Sequence, residues 1–150
     1  MQLKVNGKRP RPQRRGFSLV ELSVVVIIIG VLAAFGVPRM LKSVERSKAA
    51  EAFRYCGAVR SAQESYQARQ GIYAVDLTLL DVKQPTPKYF SVGVVTTGAS
   101  GDLEDSWSIT LTRDGASAGY GAYTVTYTQD GYDIANSTIA LLSDINGWGS

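Results

Sequence analysis

The sequence predicts an α+β fold. A long N-terminal spine helix, membrane-spanning in its first half, carries a small antiparallel β-sheet head packed on its second half. Three observations predict it. Residues 17–37 form an apolar run whose only charge is Glu21. A helical repeat then continues past Pro38 to Gln70 with one apolar face. Beyond Gly71 the pattern changes to the alternation of half-buried strands, clearest at 107–112 and 123–128. The expected organisation is a basic leader at 1–16, a hydrophobic helix at 17–38, an amphipathic helix at 39–70 and a β head at 71–150.

The first element is set by charge. Six of the 16 basic residues (Lys4, Lys8, Arg9, Arg11, Arg14 and Arg15) fall in the first 15 positions, with no acid among them. Without them the chain holds 10 basic against 13 acidic side chains, a net of −3. Pro10 and Pro12 disfavour a helix there. The positive charge is therefore an N-terminal tag rather than a property of the folded body, and it reads as targeting. A solvated tail, or an arm that neutralises phosphates, is the alternative reading. The chain has no histidine and a single cysteine, Cys56. That excludes a histidine-dependent triad and an intramolecular disulfide.

The second element is the apolar run. Twenty-one residues as a helix span about 31 Å, close to the hydrocarbon core of a bilayer. The β-branched stretch 24–29 is a poor helix former in water, but in lipid the backbone has no other way to satisfy its polar groups. The basic flank keeps the N-terminal end in the cytoplasm and puts the body outside. A carboxylate inside this layer costs on the order of 3 kcal/mol or less, and such groups usually have a functional partner. The bland alternative is that Glu21 sits hydrated at the interface. Three kinds of segment fit residues 1–37. One is a secretory signal cut near Ala33, Ala34 and Gly36. Another is a twin-arginine signal around Arg14 and Arg15. The third is a segment cut before the apolar run, which then stays in the product. Glu21 fits the first two poorly, because their apolar regions lack charge.

The string Arg15-Gly16-Phe17-Ser18-Leu19-Val20-Glu21 closely resembles the cleavage and methylation motif of type IV pilins and type II secretion pseudopilins. A glycine precedes the cut, an aromatic follows it, a glutamate is the fifth residue of the product, and a long apolar run comes next. The resemblance covers the leader, the cut site and the apolar stretch. It implies that a prepilin peptidase cuts between Gly16 and Phe17 and N-methylates the Phe17 amine. It further implies that subunits wait in the inner membrane, N-terminus cytoplasmic. An assembly ATPase and platform protein then extract them into a helical filament of identical or related subunits, lying outside the cell or in the periplasm. The Phe17 amine of one subunit and Glu21 of another form the expected assembly pair. Pro38 falls where the family commonly carries a helix-kinking proline. With Gly30 and Gly36 it marks the stretch expected to bend or melt on assembly, a plain membrane-exit kink being the alternative.

The remaining elements follow in order. Met40, Leu41, Val44, Phe53, Cys56, Val59, Ala62 and Tyr66 recur at helical spacing and are expected on the inner face. Lys42 with Glu45, Lys48 with Glu51 and Arg60 with Glu64 are expected as neighbours on the polar surface. Gly71 is the expected stop. A strand is expected within 89–95, two more at 107–112 and 123–128, and a last one near 132–135 after the turn at Gln129-Asp130-Gly131. An apolar segment at 139–142 is expected to pack back before the tail at 146–150. Asp102, Glu104 and Asp105 are clustered oxygen donors suited to calcium, but their spacing matches no EF-hand loop and reads as a solvated loop. Major pseudopilins of the resembled family often bind calcium in a C-terminal loop, and residues 144–148 make no convincing version of one. Cys56 reads as a small core residue.

The expected function is that of a structural filament subunit, not an enzyme, with no metal and no cofactor. The alternatives are a pseudopilin of a type II secretion system, a minor pilin for adhesion or DNA uptake, and a membrane-anchored periplasmic enzyme. The mature surface is slightly acidic, which argues against nucleic-acid binding along the filament.

Overall fold

The computed structural model describes residues 16–115 and 119–147. The basic leader apart from Gly16, the middle of the 114–121 loop and the end of the 146–150 tail lie outside the described residues. By its internal contacts the chain divides into two units, the boundary falling between Val37 and Pro38. The elements are helix α1 (Leu19–Gln70), a 3-10 turn (Leu77–Leu79), strands β1 (Phe90–Val92), β2 (Ser108–Arg113), β3 (Thr124–Thr128) and β4 (Gly131–Tyr132), and a second 3-10 turn (Thr138–Leu141).

α1 begins at Leu19, two residues later than expected, and ends at Gln70. Gly71 takes the left-handed conformation at φ 82°. Its N–H closes the last turn by donating to the Gln67 carbonyl at 2.8 Å, a stop that glycine adopts without steric cost. In the first unit every described residue is exposed, and its large apolar side chains are between 46% and 86% exposed. This helix is long and apolar enough to cross a membrane.

In the second unit α1 buries Glu45, Ala49, Ala52, Phe53, Tyr55, Cys56, Val59 and Gln63. The sheet has the order β1-β2-β3-β4 and is antiparallel throughout. Its inner face presents Phe90, Trp107, Ile109, Leu111, Tyr123 and Val125 to that stripe in one core. Each such side chain, fully buried, contributes about 1.5–3 kcal/mol. Phe53 meets the rings of Tyr132 and Tyr127 edge-on, at 4.9 and 6.0 Å.

The inner face of α1 departs from the expected one at its start. Met40, Leu41 and Val44 are exposed, because the core cluster engages the helix only from Ala49 onward, with Glu45 buried just before it. Two of the three expected surface pairs also differ. Arg60 does bridge Glu64, at 3.1 Å. Lys42 instead reaches Asp144, at 3.7 Å, and Lys48 reaches Glu45, at 3.3 Å. Glu51 accepts from the Lys88 backbone N–H. Lys48 thus keeps a helix neighbour, but a different one, while Lys42 and Glu51 take partners from elsewhere in the chain that helix spacing alone does not foresee.

The strands lie where alternation put them, but two are short. β1 pairs in register from Phe90 to Val92 and resumes with the Thr96–Ser108 bridge. The four steps from Val92 to Thr96 face three from Leu111 to Ser108, so β1 carries a bulge. Gly93 sits in it, and a Cβ there would lie 2.6 Å from the Thr110 carbonyl oxygen. β4 is only two residues. Beyond it the edge of β3 is closed by side chains: Thr126 N–H donates to Ser137 Oγ and Thr124 N–H to Thr138 Oγ1, both at 2.8 Å. Hydroxyls there complete the ladder where more strand was expected.

Candidate functional site

Around the expected cut, local chemistry decides where the helix begins. Gly16, Phe17 and Ser18 precede α1 without regular structure, and all three are exposed. Nothing lies within 4 Å of where a Cβ on Gly16 would be. Phe17 is 85% exposed. Ser18 carries the first helical bond, its carbonyl accepting from Leu22 N–H at 3.1 Å. Its hydroxyl accepts from Val20 N–H at 3.3 Å. In return the Glu21 carboxylate accepts from Ser18 N–H at 3.1 Å. This is a capping box, in which two side chains satisfy helix-start donors reciprocally. Glu21 lies in the first turn of α1, where the helix dipole favours negative charge. Ser18 was missed by the sequence reading, although Ser18-x-x-Glu21 ahead of an apolar run is the recognisable signal.

The other expected site residues are further along the same helix. Gly30 and Gly36 lie on α1 with open space around them. Pro38 lies inside α1, at the first position of the second unit.

A second constellation, in the head, was not foreseen. Glu45 is 1% exposed and Arg113, the last residue of β2, 4%. Arg113 Nε donates to Glu45 Oε1 at 2.6 Å and its Nη2 to Oε2 at 3.3 Å. Tyr123 Oη donates to Glu45 Oε1 at 3.1 Å. Arg113 Nη1 is taken up by the carbonyls of Tyr89 and Asp114. The hydrogen bond from Arg113 to Glu45 raises the guanidinium pKa. Burial, then the Glu45 charge, pushes the Tyr123 phenol up. The group ties one turn of α1 to the ends of β2 and β3. A neutral bond does the same nearer the helix end. The buried Gln63 amide donates to the Ala74 carbonyl at 2.9 Å and accepts from Ala74 N–H at 2.8 Å.

The C-terminal segment is fastened to the same stretch of helix. Ile145 is fully buried. Asp144 accepts from Tyr120 Oη at 2.5 Å and pairs with Lys42. The Tyr120 bond, with help from Lys42, holds the Asp144 carboxyl below the usual range. The same bond pushes the Tyr120 phenol up to about 12. In the acidic turn, Asp102 Oδ1 accepts from Glu104 N–H and the Asp102 carbonyl from Ser106 N–H, which is ordinary turn chemistry. No group of three or more His, Cys, Asp or Glu able to hold a metal ion occurs among the described residues.

Residues 11–37 match the family described as the prokaryotic N-terminal methylation motif. The chain is 42% identical over 66 residues to the type IV major pilin protein PilA of Myxococcus xanthus, covering 44% of this chain and 30% of that protein. It is 38% identical over 63 residues to the fimbrial protein EcpC of Eikenella corrodens, covering 42% and 41%. It is 35% identical over 78 residues to the type II secretion system core protein G of Pseudomonas aeruginosa, covering 51% and 55%. The matched part thus spans between about a third and just over half of these relatives' length. No solved structure matches the chain.

Proposed function

We propose that the chain is the structural subunit of a pilus-like filament, on its likeness over the N-terminal segment to type IV pilins and a type II secretion pseudopilin. In this reading a prepilin peptidase cuts between Gly16 and Phe17 on the cytoplasmic face of the inner membrane and N-methylates the Phe17 amine. Residues 17–38 hold the subunit in that membrane and later form the filament core. Residues 39–70 link this segment to the head at 71–150, which lies outside. Gly30, Gly36 and Pro38 form the stretch that yields when the subunit leaves lipid. An inner-membrane platform and its ATPase drive that transfer.

The observation that carries the reading is the exposed Gly16-Phe17 pair immediately ahead of a capped apolar helix with Glu21 in its first turn. An apolar face of this extent is foreign to a soluble monomer and calls for lipid or neighbouring helices. Cleavage leaves a cationic amine on Phe17, and methylation keeps that charge. Amine and carboxylate are each costly to bury alone, and pairing them across subunits offsets much of that cost. The pair then fixes the axial register.

Co-production with a prepilin peptidase tests the processing step. The expected product is lighter by the mass of residues 1–16 less the methylene gained when the Phe17 amine is methylated, and Gly16→Leu blocks it by crowding the scissile backbone. Cleavage near residues 33–37 would contradict the reading. Glu21→Ala tests the assembly step: the chain is cut normally but gives few filaments, and normal filament yield would sink the charge pair.

A pseudopilin of a type II secretion system is the second reading. Similarity to core protein G runs over 51% of this chain.

A further inference from the structure

The second unit exposes apolar side chains at both of its ends, and the sheet shows which end is which. Arg113, at one end of β2, bonds Glu45. Gln129 follows Thr128, which pairs with Ser108 at the other end of β2, and its carbonyl accepts from Arg60 Nε at 2.8 Å. Those two helix positions lie about 22 Å apart along α1. At the far end Val75, Asp76, Leu77, Gly93, Val94 and Val95 line an open groove of about 320 Å³. Val75 and Val94 are 62% and 79% exposed in it. Asp102, Glu104 and Asp105 are exposed in the turn that meets the helix end, where Tyr73 N–H donates to the Leu103 carbonyl at 2.8 Å. Arg69, in the last turn of α1, offsets one of the four acids there.

At the end next to Pro38, Leu141 is 84% exposed, in the segment that Asp144 fastens to Lys42. Arg39 and Arg46 are exposed on that stretch of helix. Among the described residues, neither arginine and none of Asp76, Asp102, Glu104 and Asp105 takes part in an ion pair. One end is thus a concave, acidic, apolar groove and the other a protruding apolar side chain among bases. They complement each other rather than themselves. A contact between two different patches of one chain is heterologous, and it repeats into an open array unless it closes a ring. We infer that the two ends are the halves of one self-contact: Leu141 of one copy seats in the Val75–Val94 groove of the next, with Arg39 and Arg46 turned to the acids around it. This rests on the reading of the chain as a filament subunit. Each side offers few residues against the roughly 20–30 of a free-standing interface. The contact therefore ties heads together on top of the helix packing that drives polymerisation, rather than pairing isolated subunits.

Thiols placed on the two patches test it in the full chain, produced with its peptidase and assembly machinery. Filaments of Val94→Cys, Leu141→Cys and the Val94→Cys/Leu141→Cys pair are treated with a short bismaleimide and separated under denaturing conditions. Both sites are exposed, so neither substitution removes a core contact, and Cys56 is buried away from the reagent. The expected result is a ladder of dimers, trimers and longer species from the pair, and monomers from each single variant. Cross-linking in either single variant would mean that like patches meet, and overturns the inference. Filaments of the pair without a ladder overturn it too and leave the subunit reading standing. Failure of the wild-type chain to form filaments overturns both. The charge of the groove has its own readout. Leu141→Asp sets an acid against Asp76, so its sheared filaments are expected to release monomer in mild detergent about tenfold faster than those of Leu141→Lys. Equal rates would overturn the acidic groove as the seat of Leu141.

Discussion

Removing the Glu45 carboxylate alone leaves the Arg113 guanidinium buried without its counter-charge. Breaking a buried pair in this way costs about 3–5 kcal/mol, while replacing both partners by apolar residues of similar volume is often close to neutral. Glu45→Ala is accordingly expected to lower stability in a urea titration of the full chain in detergent by about that amount. The Glu45→Met/Arg113→Met pair should recover most of it. A small effect of Glu45→Ala would mean that the pair is not closed in solution. Cys56 supplies a prediction of a different kind. Burial pushes its thiol up to about 12, against roughly 8.5 for an ordinary thiol. Between those values the folded chain keeps a proton that the unfolded chain loses. Stability is therefore fully present below about pH 8.5 and falls as pH rises, by up to about 1.4 kcal/mol per pH unit from this group. Unfolding titrations at pH 8.5 and 9.5 are expected to show a fall in stability that is shallower in Cys56→Ala, the remainder coming from buried phenols such as Tyr123 that are also pushed up. The native thiol should also resist thiol reagents until the chain unfolds.

At the scale of elements, the bulge in β1 and the closed edge of β3 make separate predictions. Gly93→Ala drives a Cβ into the Thr110 carbonyl, a backbone atom that cannot swing aside. It is expected to destabilise the head by about 1–3 kcal/mol, the range for overpacking, and to speed amide exchange along β1 and β2. Unchanged exchange would show that the bulge can reshape itself. Ser137→Ala orphans the buried Thr126 N–H and is expected to cost about 1–3 kcal/mol, read as a lowered urea midpoint. The elements differ in how far they could be read in advance. The stop at Gly71 and the inward set Trp107, Ile109 and Leu111 were legible, because local periodicity and glycine chemistry determine them. The shortness of β4 was not, because Ser137 and Thr138 replace strand backbone with hydroxyls. Burial of Glu45 and Gln63 was not legible either. Glu45 reads as a polar-face partner of Lys42 until Arg113, distant in sequence, arrives beside it, and nothing local marks Gln63 as the partner of Ala74 beyond the helix end. At the candidate site Gly16, Phe17 and Glu21 were legible as a motif of fixed spacing. Ser18 was overlooked although its pattern is equally local.

On the scale of the whole molecule, two kinds of helix surface follow one another along a single element. Residues 17–37 expose apolar side chains on every side, whereas from Glu45 onward one stripe is buried by the head. The head completes its core with that stripe, which packs in one cluster with the sheet's inner face, Ile139 and Ile145. In the proposed subunit this division of labour separates polymerisation, which belongs to the first unit, from the filament surface, which belongs to the second. Exchanging the head should therefore change what the filament presents while leaving processing intact. The N-terminus of the accumulated protein distinguishes a processed filament subunit from a chain held by an uncleaved anchor or a secretory signal. Intact mass and N-terminal sequencing of the chain, from membranes and from sheared surface material of cells with a working prepilin peptidase, measure it directly. The expected result is a chain beginning at N-methylated Phe17 in both fractions, or in membranes alone where the subunit serves a secretion pseudopilus. A chain still beginning at Met1, or cut within residues 33–37, would contradict the account.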